Sequence, residues 1–420
     1  MLDVKGFCGL TFNLDVAGAL DNVVTPPYDV ISEAERDRLA ARSPHNFVHV
    51  LLPKAEEGKS RYEVAGERFE QWIQEGALEQ DAEPSLYLLR QTFADLDGFE
   101  QVRRGFFAVT RLPDDGDRSI LGHERTFDRP VEDRLKLMEA TQANFGAVFA
   151  LYADPDAALG EFLAQMDQRP ADVVARTIDG VRQEFWRVPY DPRVTEFMRD
   201  KTLYIADGHH RFQTARTYRD RMRAQKPDAG PQPYDYALMG FVAFEDPGLK
   251  IYPPHRVLEA PEGFDGKPFL EQLGKWFEVT ALEPGESLPE RVENAPEGCV
   301  IGLAMQGTGD YLLTLRDIDR AEFLGDDRAP AWRELDVAVL HRGIIERILG
   351  LPSNAQFTYE KNARAAVEAV RDERAGLAFL LRATRASQIR ACAEAGEPMP
   401  QKSTYFFPKL PSGGVVYRLK

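Results

Sequence analysis

Cysteine is nearly absent: the 420 residues include three, Cys8, Cys299 and Cys392. They are far apart, odd in number and form no C-x-x-C pair, which argues against a disulfide framework or a structural zinc site. No apolar run approaches the roughly 20 residues of a membrane-spanning helix, so no membrane association is expected. Residues 1–12 carry Asp3 and Lys5 and lack the apolar centre of a signal peptide, and the expected compartment is the cytoplasm. Positive charge is in the minority, with 52 Lys and Arg against 68 Asp and Glu and a net charge of −16. Duplex binding needs a basic surface that displaces phosphate counterions, so no nucleic-acid partner is expected. The sequence names no protein partner. Walker A, G-x-G-x-x-G, G-x-S-x-G and H-R-D patterns are all missing. Any nucleotide bound here uses another phosphate cradle.

What is present is an ordinary globular composition, 43% apolar, long enough for two or three domains at roughly 150 residues each. Val23-Val24-Thr25 reads as a short strand broken by Pro26-Pro27-Tyr28-Asp29. Ser32 and Glu35 form a capping box that starts a helix running to about residue 41. Tyr62, Ala65, Phe69, Trp72 and Ile73 make one apolar stripe on a helix over 60–77. Short β-like runs follow at 85–93, 105–111, 119–126, 147–152 and 184–188, interrupted by a charged helix at 128–143. Residues 203–206 read as a buried strand, and a helix with Phe212, Ala215, Tyr218 and Met222 inward stops before Pro227. Strands are expected at 236–244 and 249–257, the second broken by Pro253-Pro254. A helix is expected at 268–277. Beyond it come strands at 299–305 and 311–315 and helices at 335–348, 362–371 and 386–394. A Glu-, Pro- and Gly-rich stretch places a domain boundary near 260.

The segment Tyr204-Ile205-Ala206-Asp207-Gly208-His209-His210-Arg211 holds the strongest chemical signal. A strand runs through a glycine turn directly into a helix. Glycine lets backbone approach a ligand closely. The helix start presents N–H groups and partial positive charge to a phosphate. Arg211 adds a bidentate donor, and His209 and His210 can donate hydrogen bonds or carry protons near neutral pH. Two of only seven histidines stand here, which favours a ligand site over a plain turn. Asp207, His209 and His210 with a distant Glu also admit zinc or iron. Adjacent histidines seldom point at one centre, so no metal ligand is assigned. Asp29, in a proline-fixed turn, fits a general base as well as a turn aspartate. His123 and Glu124, followed by Glu132-Asp133-Arg134, fit a substrate amine or Mg²⁺ as well as a solvated face. Lys402-Ser403-Thr404 and Lys409 form a cationic, hydroxyl-rich element suited to a phosphate or carboxylate, and Tyr405, Phe406 and Phe407 beside it read as a packed strand.

Several segments together carry a resemblance. P-P-Y-D-V-I at 26–31, N-F-V-H-V at 46–50, G-H-E-R-T at 122–126 and A-N-F-G-A-V-F at 143–149 are four of them. A-D-G-H-H-R at 206–211, D-V-A-V-L-H at 336–341 and M-P-Q-K-S-T-Y-F-F-P-K at 399–409 complete the set. Nearly end to end the chain resembles the prokaryotic family called domain of unknown function 1015. More distantly, the D-G-H-H-R box resembles that of the ParB/sulfiredoxin superfamily in its free serine kinase form. That resemblance implies an α+β fold: a ParB/sulfiredoxin-like core at 1–84 and 191–258, a β-rich insertion at 85–190, and an α+β C-terminal domain at 259–420. It implies a small-molecule kinase using ADP or ATP with Mg²⁺, with L-serine as the acceptor. Asp207, Gly208, His209, His210, Arg211 and Thr214 then take the phosphate role. Asp29 takes the base role, with His209 and His210 beside it in catalysis. Tyr28, His123, Glu124, Lys402 and Ser403 are the expected substrate contacts. Two other functions are compatible with the same residues: a non-catalytic nucleotide-binding regulator of ParB-like type, and a metal-dependent hydrolase centred on His209 and His210.

Overall fold

A computed structural model describes residues 1–227, 229–353 and 355–420. The fold class is α+β, and the chain divides into two compact units. The first comprises Met1–Gly122, Thr126–Leu249 and Pro408–Lys420; the second comprises His123–Arg125 and Lys250–Phe407.

The first unit is built on a nine-stranded mixed sheet. Across it run Ile120–Leu121, Leu203–Asp207, Val148–Tyr152, Tyr236–Ala243, Glu100–Arg111, Ser85–Ala94, Arg182–Pro189 and Val173–Arg176, with Val4–Lys5 also paired to Glu100–Arg111. Alternation decides its faces. Leu88, Phe106, Val148, Ala150, Leu203 and Ile205 share one apolar face with Phe162, Met166, Met198 and Phe212 packed on it. The other face carries Tyr87, Phe107, Phe149 and Phe185, and among them Gln91, Arg103 and Gln183. Pro408–Lys420 crosses that second face. Leu410 is seated over Gly240, and Gly414 rests against the Phe185 ring.

The second unit holds a six-stranded sheet in the order Phe277–Ala281, Gly309–Leu315, Val300–Met305, Leu377–Leu380, His255–Leu258, Thr358–Glu360, antiparallel throughout. Its core joins Leu288, Val292, Val300, Ala304, Val367 and Leu380. A separate ribbon pairs Lys250–Tyr252 with Tyr405–Phe407.

Several expectations change. Val23–Thr25 forms no strand: only Thr25 makes an isolated bridge, to Ser412. Residues 85–190 are no separate insertion: their strands lie in one sheet with Leu203–Asp207 and Tyr236–Ala243. The boundary falls after Leu249, not near 260, and the chain returns at Pro408. The Pro- and Gly-rich stretch after 258 is a loop inside the second unit, because turn composition marks a loop wherever it lies. The strand expected at 119–126 keeps only Ile120–Leu121, and the helix expected at 268–277 runs Gly266–Leu273, with Phe277 starting a strand. Asp265 caps that helix by accepting from the Lys267 N–H at 3.0 Å, a signal placed before the window that was read. Among the described residues no helix is long and apolar enough to cross a membrane.

Candidate functional site

The site begins with an irregularity in one strand. Tyr204 pairs with Leu151 and Ile205 with Ala150, and then Asp207, not Ala206, pairs with Phe149. A regular ladder would set Asp207 opposite Val148, on the apolar face. The bulge adds one residue and moves Asp207 to the other face, because side chains alternate with a period of two. Gly208 follows at φ 92° and caps the helix His209–Gln225 without a side-chain acceptor. Two facts require glycine here. The backbone is left-handed, and a Cβ would meet Nε, Cζ and Nη2 of Arg211 at 2.8, 2.9 and 3.0 Å.

Arg211 therefore folds back over the turn. Its Nη2 donates to Asp207 Oδ2 at 2.5 Å and its Nη1 to the Ala147 carbonyl. Lys409 Nζ donates to the other carboxylate oxygen, Oδ1, at 2.6 Å. Burial by itself would raise the Asp207 carboxyl. The charges of Lys409 and Arg211 overcome it and hold the group well below the usual carboxylate range. His209 is buried, its ring edge against Gly122. His210 Nε2 accepts the Phe127 N–H at 3.2 Å, and the two rings stack.

Lys409 is set in place by a row of polar side chains. Strand register puts Gln183 opposite Gln91 and Gln91 opposite Arg103. Gln91 Nε2 donates to Gln183 Oε1 at 2.9 Å and to the Lys409 carbonyl at 3.0 Å. Arg103 Nε donates to Gln91 Oε1 at 3.0 Å and its Nη2 to the Pro408 carbonyl at 2.5 Å. Arg103 is 1% exposed and lies over the Phe149 ring. Burial pulls its guanidinium down to about 9, against the opposing pull of Asp246 and Asp207.

Beside Arg211 lies a cavity of about 50 Å³. Tyr28, Arg134, Phe145, Arg211, Thr214 and Ser412 are among its walls. The Arg134 guanidinium stands 4.5 Å from the Tyr28 ring centre. Burial and then Asp29 raise the Tyr28 hydroxyl, and Arg211 and Arg134 oppose them. Asp29 is exposed in the 3₁₀ turn Tyr28–Val30, next to that wall. Thr214 is fully buried and its hydroxyl donates to the His210 carbonyl at 2.7 Å.

The expected residues thus fall into two groups. Tyr28, Asp29, Asp207, Gly208, His209, His210, Arg211 and Thr214 belong to the first unit, while His123, Glu124, Lys402 and Ser403 belong to the second. There His123 Nε2 lies 3.4 Å from Thr404 Oγ1, Lys402 is exposed at φ 53°, and the Ser403 hydroxyl donates to the Pro400 carbonyl. Among the described residues no three His, Cys, Asp or Glu side chains converge as a metal-binding group. Sequence reasoning passed over Arg103, Gln91 and Ser412, and it grouped Arg134 with His123 and Glu124 rather than with Tyr28 and Arg211. It named Lys409 as an anion binder without linking it to Asp207, 202 positions away.

Comparison with known proteins gives one family. The sequence model described as "Protein of unknown function (DUF1015)" matches residues 4–338. No curated protein matches the chain. Among solved structures, a free serine kinase mutant in complex with AMP aligns at TM-score 0.36 and 13% identity, covering 71% of this chain and 87% of its own. A conserved hypothetical protein from Pyrococcus furiosus aligns at 0.33 and 16%, covering 73% and 93%. SbnI from Staphylococcus aureus, truncated at its C-terminus, aligns at 0.33 and 11%, covering 72% and 84%. At these scores the likeness fixes no chemistry for this chain.

Proposed function

We propose that this chain, which belongs to the DUF1015 family, is a small-molecule kinase that moves a phosphoryl group from ADP or ATP to a free hydroxyl, with L-serine the first acceptor to try. One observation carries the reading: the bulged strand, left-handed Gly208 and uncapped helix start hold two cations, Arg211 and Lys409, on Asp207. Helix N–H groups and fixed cations stabilise the charge of a transferring phosphoryl group. In the proposed step the acceptor oxygen bonds to the terminal phosphorus and the bond to the leaving phosphate breaks. The hydroxyl proton passes to the Asp29 carboxylate, and AMP or ADP departs. Mg²⁺ enters only as the companion of the nucleotide phosphates. A cavity of about 50 Å³ is far below the roughly 300–1,000 Å³ of ligand sites. The reading therefore requires the wall of Tyr28 and Ser412 to part when nucleotide enters.

That closed site, whose two cations are both held on Asp207, also favours a second reading, a nucleotide-binding regulator without turnover. A ligand that takes the cations from Asp207 has to rearrange the turn. One experiment separates the two. The protein is incubated with Mg²⁺, small hydroxy metabolites including L-serine, and ADP or ATP in separate tubes, and products are read by mass spectrometry. The kinase reading expects one phosphorylated acceptor. Arg211→Ala loses about 1.5–3 kcal/mol of nucleotide binding, roughly ten- to a hundredfold in affinity. Asp29→Asn binds nucleotide and forms no product. Tight binding with no product on any acceptor moves the assignment to the regulator; no nucleotide binding at all refutes both.

A further inference from the structure

The row Gln183–Gln91–Arg103 is a costly thing to bury. A guanidinium in a core is retained at the expense of its hydration unless a carboxylate repays it. Arg103 bonds only to an amide oxygen and a carbonyl, and its Nη1 finds no hydrogen-bond partner among the described residues. The charges it feels are Asp246 and Asp207. Asp207 is already shared by Arg211 and Lys409. The bonds Arg103 and Gln91 do make converge on two successive carbonyls, those of Pro408 and Lys409. These are the backbone groups that fix where the Lys409 side chain leaves the last segment of the chain.

We infer that Lys409 is a second phosphate-binding cation beside Arg211, and that Arg103, acting with Gln91 through the Pro408 and Lys409 carbonyls, is the residue that positions it. This rests on the nucleotide site proposed above and adds to it the final 13 residues of the first unit, Pro408–Lys420. In the resting protein Asp207 holds the ammonium. When an anionic phosphate arrives, Lys409 is already anchored within reach of the same turn, so its charge is pre-organised.

The test is a double-mutant cycle read by calorimetric titration of ADP and of ATP, with thermal unfolding of every variant in parallel. Lys409→Met binds nucleotide about tenfold or more weakly, and Lys409→Arg recovers most of the loss. Arg103→Met weakens binding about tenfold in the wild-type background and has no further effect in Lys409→Met. A merely structural Arg103 lowers the unfolding temperature and adds its loss of affinity to that of Lys409→Met. If Arg103→Met does not fold, Arg103→Lys keeps the buried charge but lacks the rigid planar fork that bonds Gln91 and the Pro408 carbonyl in fixed directions, and it must show the same non-additivity. Equal affinity in wild type and Lys409→Met, or independent effects of the two substitutions, overturns the inference and leaves the nucleotide site standing. Wild type that binds neither nucleotide overturns both.

Discussion

His255 and His341, in the second unit, are held neutral by what they accept. His255 Nδ1 takes the Leu381 N–H at 3.1 Å, and His341 Nε2 takes Nε of the buried Arg256 at 3.0 Å. Burial, then the Arg256 charge, pushes His255 down to about 4 and His341 to about 3 from the ordinary 6.5. The unfolded chain takes up these protons before the folded one does. Their contribution is therefore complete above the unfolded value and is lost as pH falls from 6.5 towards 4. Between neutral pH and about pH 5 each histidine should remove roughly 2 kcal/mol of stability. Denaturant unfolding at both pH values checks this: His255→Asn and His341→Gln should each flatten the pH dependence, and an unchanged slope refutes the assignment. His341 was quoted in sequence only as the end of D-V-A-V-L-H. Nothing local says that it will accept from an arginine 85 positions away.

The junction of Leu203–Asp207 with His209–Gln225 shows how far one element can be read. Strand, glycine and helix were all legible, as was the capping box at Ser32–Glu35, which forms as expected. These signals are local, made by residues three apart. The bulge at Ile205–Asp207 was not legible, because it depends on the register of a partner strand. Gly208→Ala tests the junction. A left-handed backbone costs an L-residue about 1–2 kcal/mol, and the new Cβ must also displace Arg211. Gly76 is the control: it follows the helix Arg61–Gln74 at φ 75°, in a Schellman turn closed by the Ala77 N–H on the Trp72 carbonyl, with nothing within 4 Å of a Cβ. Gly208→Ala should destabilise by at least about 1 kcal/mol more than Gly76→Ala and should weaken nucleotide binding. Equal loss in both variants means that the Arg211 packing contributes nothing.

On the scale of the whole molecule, the first unit is interrupted. The chain leaves it after Leu249 and re-enters at Pro408. Lys250 and Phe407 are antiparallel partners, so the two crossing points lie about 5 Å apart. A two-residue Asn-Gly turn joining Lys250 to Phe407 can therefore replace the strands and helices between them without stretching the ends. Such a shortened chain should unfold cooperatively and keep the nucleotide affinity of the full protein, because Asp207, Arg211, Lys409, Arg103 and Tyr28 all remain. Loss of folding would show that the first unit does not stand by its own core. Retained folding without binding would place a required residue in the removed segment, where Lys402 and Ser403 lie. By itself the sequence determined what is made within a few residues: the helix caps, the alternating strands, the α+β class and the glycine turn with Arg211 behind it. Only the tertiary structure decided which face Asp207 occupies, that 85–190 joins one sheet, and that Lys409 returns to close the turn. Each of these depends on pairings dozens to hundreds of positions apart, and side-chain periodicity records the face of a strand but never its partner.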